Sequence, residues 1–443
     1  MKRVLFPALL AATALLLTAC PQTPPPPPPV NPSGCPVGPL SVQVEEPLNL
    51  QGLGRFEGEY VPGELLVLPR AGLSVQALRA EGVEPLGALP RGLLRVKVPP
   101  GQEKARAQAL LRAGAQYVQP NYLYRPLRVP NDPLYATGQK AYLNALVGLE
   151  AAWDASTGRG CPPLIAVLDT GVLPHQDFHT SKYLPANVNL DVADGDADPT
   201  DGQVPSQDSY GHGLMVAGVL GADTDNARGM AGVTWGGHIL PIKVYYDGGG
   251  ATTQTLLEGV RLARRMGVRI ANISLGTNGQ DPLLDAELTM AWNQGMVVVA
   301  AAGNYEKPYS GYSSGGPVMF PANSPSVLAV GAVDQSRERA YFSAHGPELD
   351  LVAPGVSVLV AQPSGGYARA NGTSFASPIV AGVAALYMSK YARERKAWPT
   401  PDQVYACLTQ TAEDLGSSGL DEEYGFGLVR ADRVMTDTTY CFP

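Results

Sequence analysis

Four polar residues able to share acyl-transfer chemistry stand in this chain, each at the edge of an apolar run. Asn371-Gly372-Thr373-Ser374-Phe375-Ala376-Ser377-Pro378 is a turn of small polar residues that leads into the helical pattern Ile379 to Leu386. A serine there meets unbonded N–H groups and the positive end of a helix dipole, which favour a developing negative charge. Acyl transfer needs that setting because its tetrahedral intermediate carries an oxyanion. A plain Ser/Thr helix cap looks the same in isolation, so the other residues must decide. Pro163 to Leu168 is a short buried-strand run that ends in the carboxylate Asp169, and strand ends are where α/β sheets build sites. Gly211-His212-Gly213 precedes the apolar run Leu214 to Leu220. An imidazole there can turn one ring nitrogen to a carboxylate and the other to a hydroxyl. Asn304 follows the run Met296 to Gly303, and an amide after a buried strand can donate to an oxyanion.

Other candidates are weaker. Gly311-Tyr312-Ser313-Ser314-Gly315 has the letters of a hydrolase nucleophile elbow, but no strand precedes it and no helix pattern follows, so it reads as a loop. His175 and His179 are four apart without the glutamate or helix pattern of a zinc motif, and His238 and His345 are lone polar residues. Residues 191–201 form a dense acidic loop with Asp191, Asp194, Asp196 and Asp198. Several carboxylates on one turn suit Ca²⁺, although the trailing glutamate of an EF-hand is missing.

These pieces need a scaffold, and 443 residues with 45% hydrophobic content are enough for more than one domain. A net charge of −8 without clustered Lys/Arg excludes a general nucleic-acid binder. Met1-Lys2-Arg3 followed by the apolar run Val4 to Leu17 reads as a bacterial export signal, too short for a membrane span. Its end, Leu17-Thr18-Ala19-Cys20, resembles a lipobox, which implies lipidation of Cys20 and attachment to a membrane. Pro21 to Pro29 is nearly all proline, a stiff spacer. Beyond Cys20, the four cysteines Cys35, Cys161, Cys407 and Cys441 allow three pairings. Proximity in sequence favours Cys407–Cys441, which leaves Cys35–Cys161.

Residues 58–127 have a pattern of their own. Glu64 to Leu68 and Leu93 to Val98 read as strands, Ser74 to Arg79 and Glu103 to Ala113 as helices, and Tyr117-Val118 as the last strand. The order fits a ferredoxin-like β-α-β-β-α-β unit. This segment carries nine Lys/Arg against five Glu, whereas residues 129–443 carry 19 Lys/Arg against 32 Asp/Glu. Opposite charge predicts that the two parts attract each other.

Asp169-Thr170-Gly171, Gly211-His212-Gly213, Ala302-Gly303-Asn304 and Gly372-Thr373-Ser374-Phe375-Ala376-Ser377-Pro378, in that order, resemble the motif set of the subtilisin-like serine proteases, the subtilases. The likeness spans residues 130 to about 435. It implies an α/β fold, a mostly parallel sheet with helices on both faces, preceded by a small ferredoxin-like α+β propeptide. The expected division is a lipoprotein signal peptide over 1–19, a lipidated Pro-rich tether over 20–57, an inhibitory propeptide over 58–127 and a peptidase domain over 128–443. The resemblance implies an exported serine endopeptidase, made as a zymogen, that acts on protein substrates. Its propeptide would serve as an intramolecular inhibitor. Ser374 would be the nucleophile, His212 the general base and Asp169 its orienting carboxylate. Asn304 and the Ser374 N–H would form the oxyanion hole. Ser274-Leu275-Gly276 resembles the segment that pairs with an extended substrate. With Ala301-Ala302-Gly303 it would line an uncharged slot for the residue before the scissile bond, P1, with a broad apolar or aromatic preference. No cofactor is expected for catalysis; the loop of Asp191, Asp194, Asp196 and Asp198 resembles a subtilase calcium loop. A catalytically silent surface scaffold or adhesin on the same fold is the competing expectation. Two departures stand out. Leu214-Met215 replaces the family's Thr-His, which removes a hydroxyl from the first helical turn. Phe375 stands where many relatives have methionine, so the nucleophile has no adjacent thioether and peroxide tolerance is expected.

Overall fold

The computed structural model describes residues 48–56, 60–70, 73, 75–122, 128–178, 189–195, 198–203, 205–207, 209–236 and 238–443. The signal, Cys20, Cys35, His179, Asp196 and the stretch 123–127 lie outside them. The chain divides into two compact units, one before residue 127 and one from residue 127 onward.

In the first unit the described elements are β1 (Gly52–Leu53), β2 (Tyr60–Pro69), α1 (Val75–Ala80), β3 (Glu84–Ala88), β4 (Leu94–Lys97), α2 (Glu103–Arg112) and β5 (Ala115–Tyr122). The sheet order is β1-β5-β2-β4-β3. After the short β1, this is the ferredoxin-like arrangement that the order of patterns predicts. Leu65, Val67, Val96 and Val118 alternate inward on the strands and pack with Ala107 and Leu110 of α2. That alternation gives the sheet one buried face. Buried Glu103 at the start of α2 accepts the Gly63 N–H at 2.8 Å, so the helix is tied to the beginning of β2.

The second unit begins with the short helices α3 (Lys140–Leu143) and α4 (Leu149–Ala155). Its sheet holds β6 (Leu164–Asp169), β7 (His238–Lys243), β8 (Ile270–Ile273), β9 (Val297–Ala301), β10 (Leu328–Val333) and β11 (Leu351–Pro354), in the order β11-β10-β9-β8-β6-β7. Every neighbouring pair is parallel. Parallel strands need crossovers, which bury both faces, hence runs such as Val-Val-Val-Ala-Ala in β9 rather than alternation. The helices are α5 (His212–Gly221), α6 (Thr253–Arg265), α7 (Pro282–Asn293), α8 (Thr373–Arg395), α9 (Pro401–Gln410) and α10 (Ala431–Thr436). α5 packs on α8, and α6 packs on α7. A small antiparallel ribbon, Val358–Ala361 with Tyr367–Ala370, leads into α8. Cys407 of α9 is bonded to Cys441, as proximity in sequence favours; Cys161 is buried.

The central helix α8 is 23 residues long, buried through most of its length, and carries Pro378 inside it. Proline has no N–H to offer the carbonyl four residues earlier, which here belongs to Ser374. The Ser274 hydroxyl fills that role, donating to the Ser374 carbonyl oxygen at 3.0 Å. A serine just past β8 thus repairs the helix at the residue expected to do the chemistry.

Candidate active site

The expected catalytic residues gather at the carboxyl edge of the parallel sheet, where such folds place their sites. Asp169 is the last residue of β6 and His212 the first of α5. A Cβ on Gly213 would fall 2.0 Å from the Gly171 carbonyl oxygen, so glycine alone lets α5 start against the end of β6. The result is a 2.8 Å hydrogen bond from His212 Nδ1 to Asp169 Oδ1, an oxygen that also accepts the Thr170 N–H at 2.8 Å. Asp169 is buried, whereas the His212 side chain keeps 24% of its surface exposed. Asp169 Oδ2 is buried without a hydrogen-bond partner among the described residues. Burial by itself would lower the His212 pKa. The charge and hydrogen bond of Asp169, with a further contribution from Asp201, reverse this and leave the imidazole above its ordinary value.

Ser374 is the second residue of α8, so its N–H is one of those without an intrahelical acceptor. Its hydroxyl donates to the Ser274 carbonyl oxygen at 3.2 Å. Ser274 is thus bonded to Ser374 in both directions, and its Oγ also accepts from Asn272 Nδ2 at 2.8 Å. The His212 ring lies 5.9 Å, centroid to centroid, from the ring of Phe375, which brings the imidazole beside the turn of Ser374.

Asn304 follows β9. Its Oδ1 accepts from both the N–H and the hydroxyl of Thr373, at 2.9 and 3.0 Å. With the carbonyl side of the amide held, Nδ2 is directed away from Thr373. The Thr373 hydroxyl in turn accepts the Gly303 N–H at 3.2 Å, which joins the segment of Asn304 to the start of α8. Asn304→Leu is expected to lower kcat about 10²–10³-fold with KM little changed, because the lost donor acts on the oxyanion. Steady-state kinetics on a peptide substrate checks this.

The loss of the Thr-His hydroxyl after His212 has a structural answer. The Gly213 N–H, in the first turn of α5, donates to the Thr170 hydroxyl at 3.0 Å. The Thr170 hydroxyl in turn donates to Asp201 Oδ2 at 2.6 Å, and the same oxygen accepts the Gly211 N–H at 2.8 Å. Buried Asp201 therefore ties the strand end bearing Asp169 to the loop bearing His212. Asp201 had been one acid among several in the loop, and only the fold singles it out.

Two of the described carboxylates of the acidic loop meet a cation from the chain itself. Lys243, the last residue of β7 and 2% exposed, reaches Asp191 Oδ2 at 2.8 Å, Asp194 and Asp247 Oδ1 at 2.9 Å. Asp191 Oδ1 takes the Ala193 and Asp194 N–H groups at 2.8 and 3.0 Å, and Asp198 takes the Thr200 N–H at 3.0 Å. Burial opposes charge on Lys243, but the hydrogen-bonded carboxylates outweigh it and raise its pKa. Among the described residues no group of three or more His, Cys, Asp or Glu is placed to hold a metal ion. Lys243→Met leaves the buried Asp191 without its counter-charge and is expected to cost about 3–5 kcal/mol of stability. Asp247→Ala, at the half-exposed end of the cluster, should cost far less. Urea melts of the two variants check the order.

His175 and His345 have structural surroundings. His175 Nε2 lies 3.1 Å from the Gly366 carbonyl oxygen and its Nδ1 accepts the Asp177 N–H at 3.1 Å. His345 lies against the Ser314 carbonyl oxygen at 3.2 Å. Gly311 to Gly315 is a loop, as its composition predicts. Ser274 is buried, Leu275 half-buried and Gly276 exposed, beside a cavity of about 400 Å³ whose lining includes Leu256, Leu275, Leu284 and Phe320.

Residues 160–427 match the subtilase family. A thermophilic serine proteinase of Bacillus sp. (strain AK1) is 33% identical over 386 residues, which cover 83% of this chain and 86% of that protein. Subtilisin Savinase of Lederbergia lenta is 37% identical over 276 residues, 62% of this chain and 91% of its own. Among solved structures, a protease from Pseudoalteromonas arctica aligns with a TM-score of 0.57 and 30% identity, over 70% of this chain and 99% of that one.

Proposed function

We propose, for a chain that belongs to the subtilase family and is a serine endopeptidase, that peptide bonds are cleaved through an acyl-enzyme on Ser374. The observation that carries this is the 2.8 Å bond between Asp169 and His212, which holds the imidazole in one tautomer beside the turn of Ser374. The Ser374 hydroxyl turns from the Ser274 carbonyl to His212 Nε2, the ring nitrogen left free by Asp169. It attacks the scissile carbonyl as His212 takes its proton. Asp169 stabilises the imidazolium, and His212 then gives the proton to the leaving amine. Asn304 Nδ2 and the Ser374 N–H receive the oxyanion. Water repeats the sequence to release the acid. The segment Ser274 to Gly276 pairs with the substrate backbone, and the neighbouring cavity takes one of its apolar side chains. The test is labelling of the purified protein by an active-site serine phosphonate, together with a casein digest. A protein that takes no label and leaves casein intact would instead be the silent scaffold.

The chain is read further as an exported zymogen. The ferredoxin-like topology over 52–122 supports a propeptide that assists folding and blocks the cleft, and Cys20 after an apolar run supports a lipid anchor. Intact mass and N-terminal sequence of the active form test both: a mature start between residues 122 and 132 fits, whereas an active form that retains residues 52–122 covalently does not. Among the described residues no helix is long and apolar enough to cross a membrane. Catalysis on this route uses no cofactor. A structural calcium on the acidic loop would compete with the Lys243 ammonium for Asp191 and Asp194. A fall in Tm with chelator that Asp194→Asn abolishes would put calcium there; a fall that Asp194→Asn leaves intact would leave the loop to the ammonium.

A further inference from the structure

The slot for the P1 side chain lies, on the reading above, between Ser274-Leu275-Gly276 and Ala301-Ala302-Gly303. A Cβ on Gly303 would lie 2.7 Å from both Cγ and Sδ of Met319. A Cβ on Gly276 would lie 3.2 Å from Met319 Cβ and 3.8 Å from its Sδ. The two glycines therefore face the same thioether side chain, one from each wall. The space that their missing side chains open is already taken by Met319, which is itself only half-buried.

The backbone under this side chain is fixed to both walls. The Met319 N–H donates to the Ala302 carbonyl oxygen at 2.8 Å. Phe320 and Thr277 exchange both backbone hydrogen bonds, at 2.9 and 2.7 Å. The Tyr305 hydroxyl, next in chain to Asn304, is shared between Asn278 Oδ1 at 2.8 Å and the Pro317 carbonyl oxygen at 2.9 Å. This tie joins the segments that follow the two walls, so spreading them to admit a large group would break several hydrogen bonds at once.

We propose that Met319 is the floor of the P1 slot and limits its depth, so that this enzyme cleaves after small residues such as alanine and disfavours phenylalanine and tyrosine. This replaces the broad apolar or aromatic preference implied by uncharged walls alone, and it rests on the serine-endopeptidase reading. An aromatic P1 group needs a slot able to bury about 150–250 Å². Met319 has three rotatable bonds and can pack against a small P1 group, closing the gap that would otherwise be left. The backbone bonded on both sides fixes its Cα–Cβ direction between the two walls.

The experiment uses enzyme whose active sites have been counted by phosphonate labelling and a peptide series differing only at P1, with Ala, Leu or Phe. For the wild type, kcat/KM for P1 Ala should exceed that for P1 Phe at least about tenfold. Met319→Gly should raise P1 Phe cleavage about 10–100-fold while P1 Ala changes only a few-fold. Met319→Ala, which keeps a Cβ and avoids the extra backbone freedom of glycine, should move the ratio in the same direction. A labelled wild type that cleaves P1 Phe as well as P1 Ala would overturn the proposal. So would a ratio unchanged in both variants. Enzyme that takes no label and cleaves none of the peptides would overturn the peptidase reading, and this proposal with it.

Discussion

Ser374→Ala is expected to lower kcat about 10⁶-fold and to leave the fold intact, a loss of the size recorded for the nucleophile of subtilisin itself. The alanine removes one hydrogen bond, to the Ser274 carbonyl. The bond that supports the helix, from the Ser274 hydroxyl to the carbonyl of residue 374, uses a backbone atom and survives. Substrate should still bind, since Asn304 and the free N–H groups of α8 are retained. Residual hydrolysis above the uncatalysed rate then comes from the oxyanion donors alone. Phosphonate labelling falls to zero, while the Tm stays within a few degrees. Retention of labelling in this variant would assign the reactive serine elsewhere.

Asp169→Asn is expected to cost about 10⁴-fold in kcat/KM at neutral pH with the geometry preserved. The amide cannot stabilise an imidazolium by charge, and it allows the tautomer that presents N–H, rather than a lone pair, to Ser374. The pH profile separates this from mere damage. In the wild type, burial lowers the His212 pKa, and Asp169 more than restores it. Activity requires neutral His212, so the acid limb of kcat/KM lies above the ordinary imidazole range and activity rises through it with pH. Removing the carboxylate leaves burial to dominate, and the limb moves to lower pH while the plateau falls. The same interaction bears on stability with the opposite sign. The folded-state pKa is raised, so the Asp169–imidazolium contact stabilises the fold fully below the unfolded imidazole value and is lost as pH rises through the folded value. An acid limb that does not move in the variant would mean that Asp169 does not set the charge of His212.

The two predictions rest on residues legible without coordinates, and the reason is local. Asp169 and Asn304 follow apolar strand runs, and His212 and Ser374 start helical ones. A short window therefore places each at the sheet edge. The ferredoxin-like unit was legible for a similar reason, since alternation at Glu64 to Leu68 and a one-sided helix at Glu103 each announce their element. What stayed hidden was pairing at long range. Thr170 with Asp201, Ser274 with Ser374 and Lys243 with Asp191 each span tens of residues, and no periodicity connects them. The acidic loop shows the consequence most clearly. Its composition shows the carboxylates, but not that Lys243 at the end of a neighbouring strand reaches two of them. The sulfur near the nucleophile is a parallel case. Phe375 removes it from the adjacent position, while the chain brings Met319 against Gly303 from the following loop. Peroxide should therefore act on P1 selection rather than on the oxyanion hole.

The bond between Cys407 and Cys441 bears on how long such a molecule lasts in company with its own kind. Loosely held segments are the preferred sites of proteolytic nicking, and a peptidase in solution meets its sister molecules constantly. Cys441 and Phe442 are held against α8, with the Tyr387 hydroxyl on the Cys441 carbonyl at 2.9 Å and Phe442 packed against Tyr387 and Tyr391. Clipping this segment would require the crosslink to open or the aromatic contacts to peel away first. The fastening is thus expected to slow autolysis in the segment from Cys407 to Phe442.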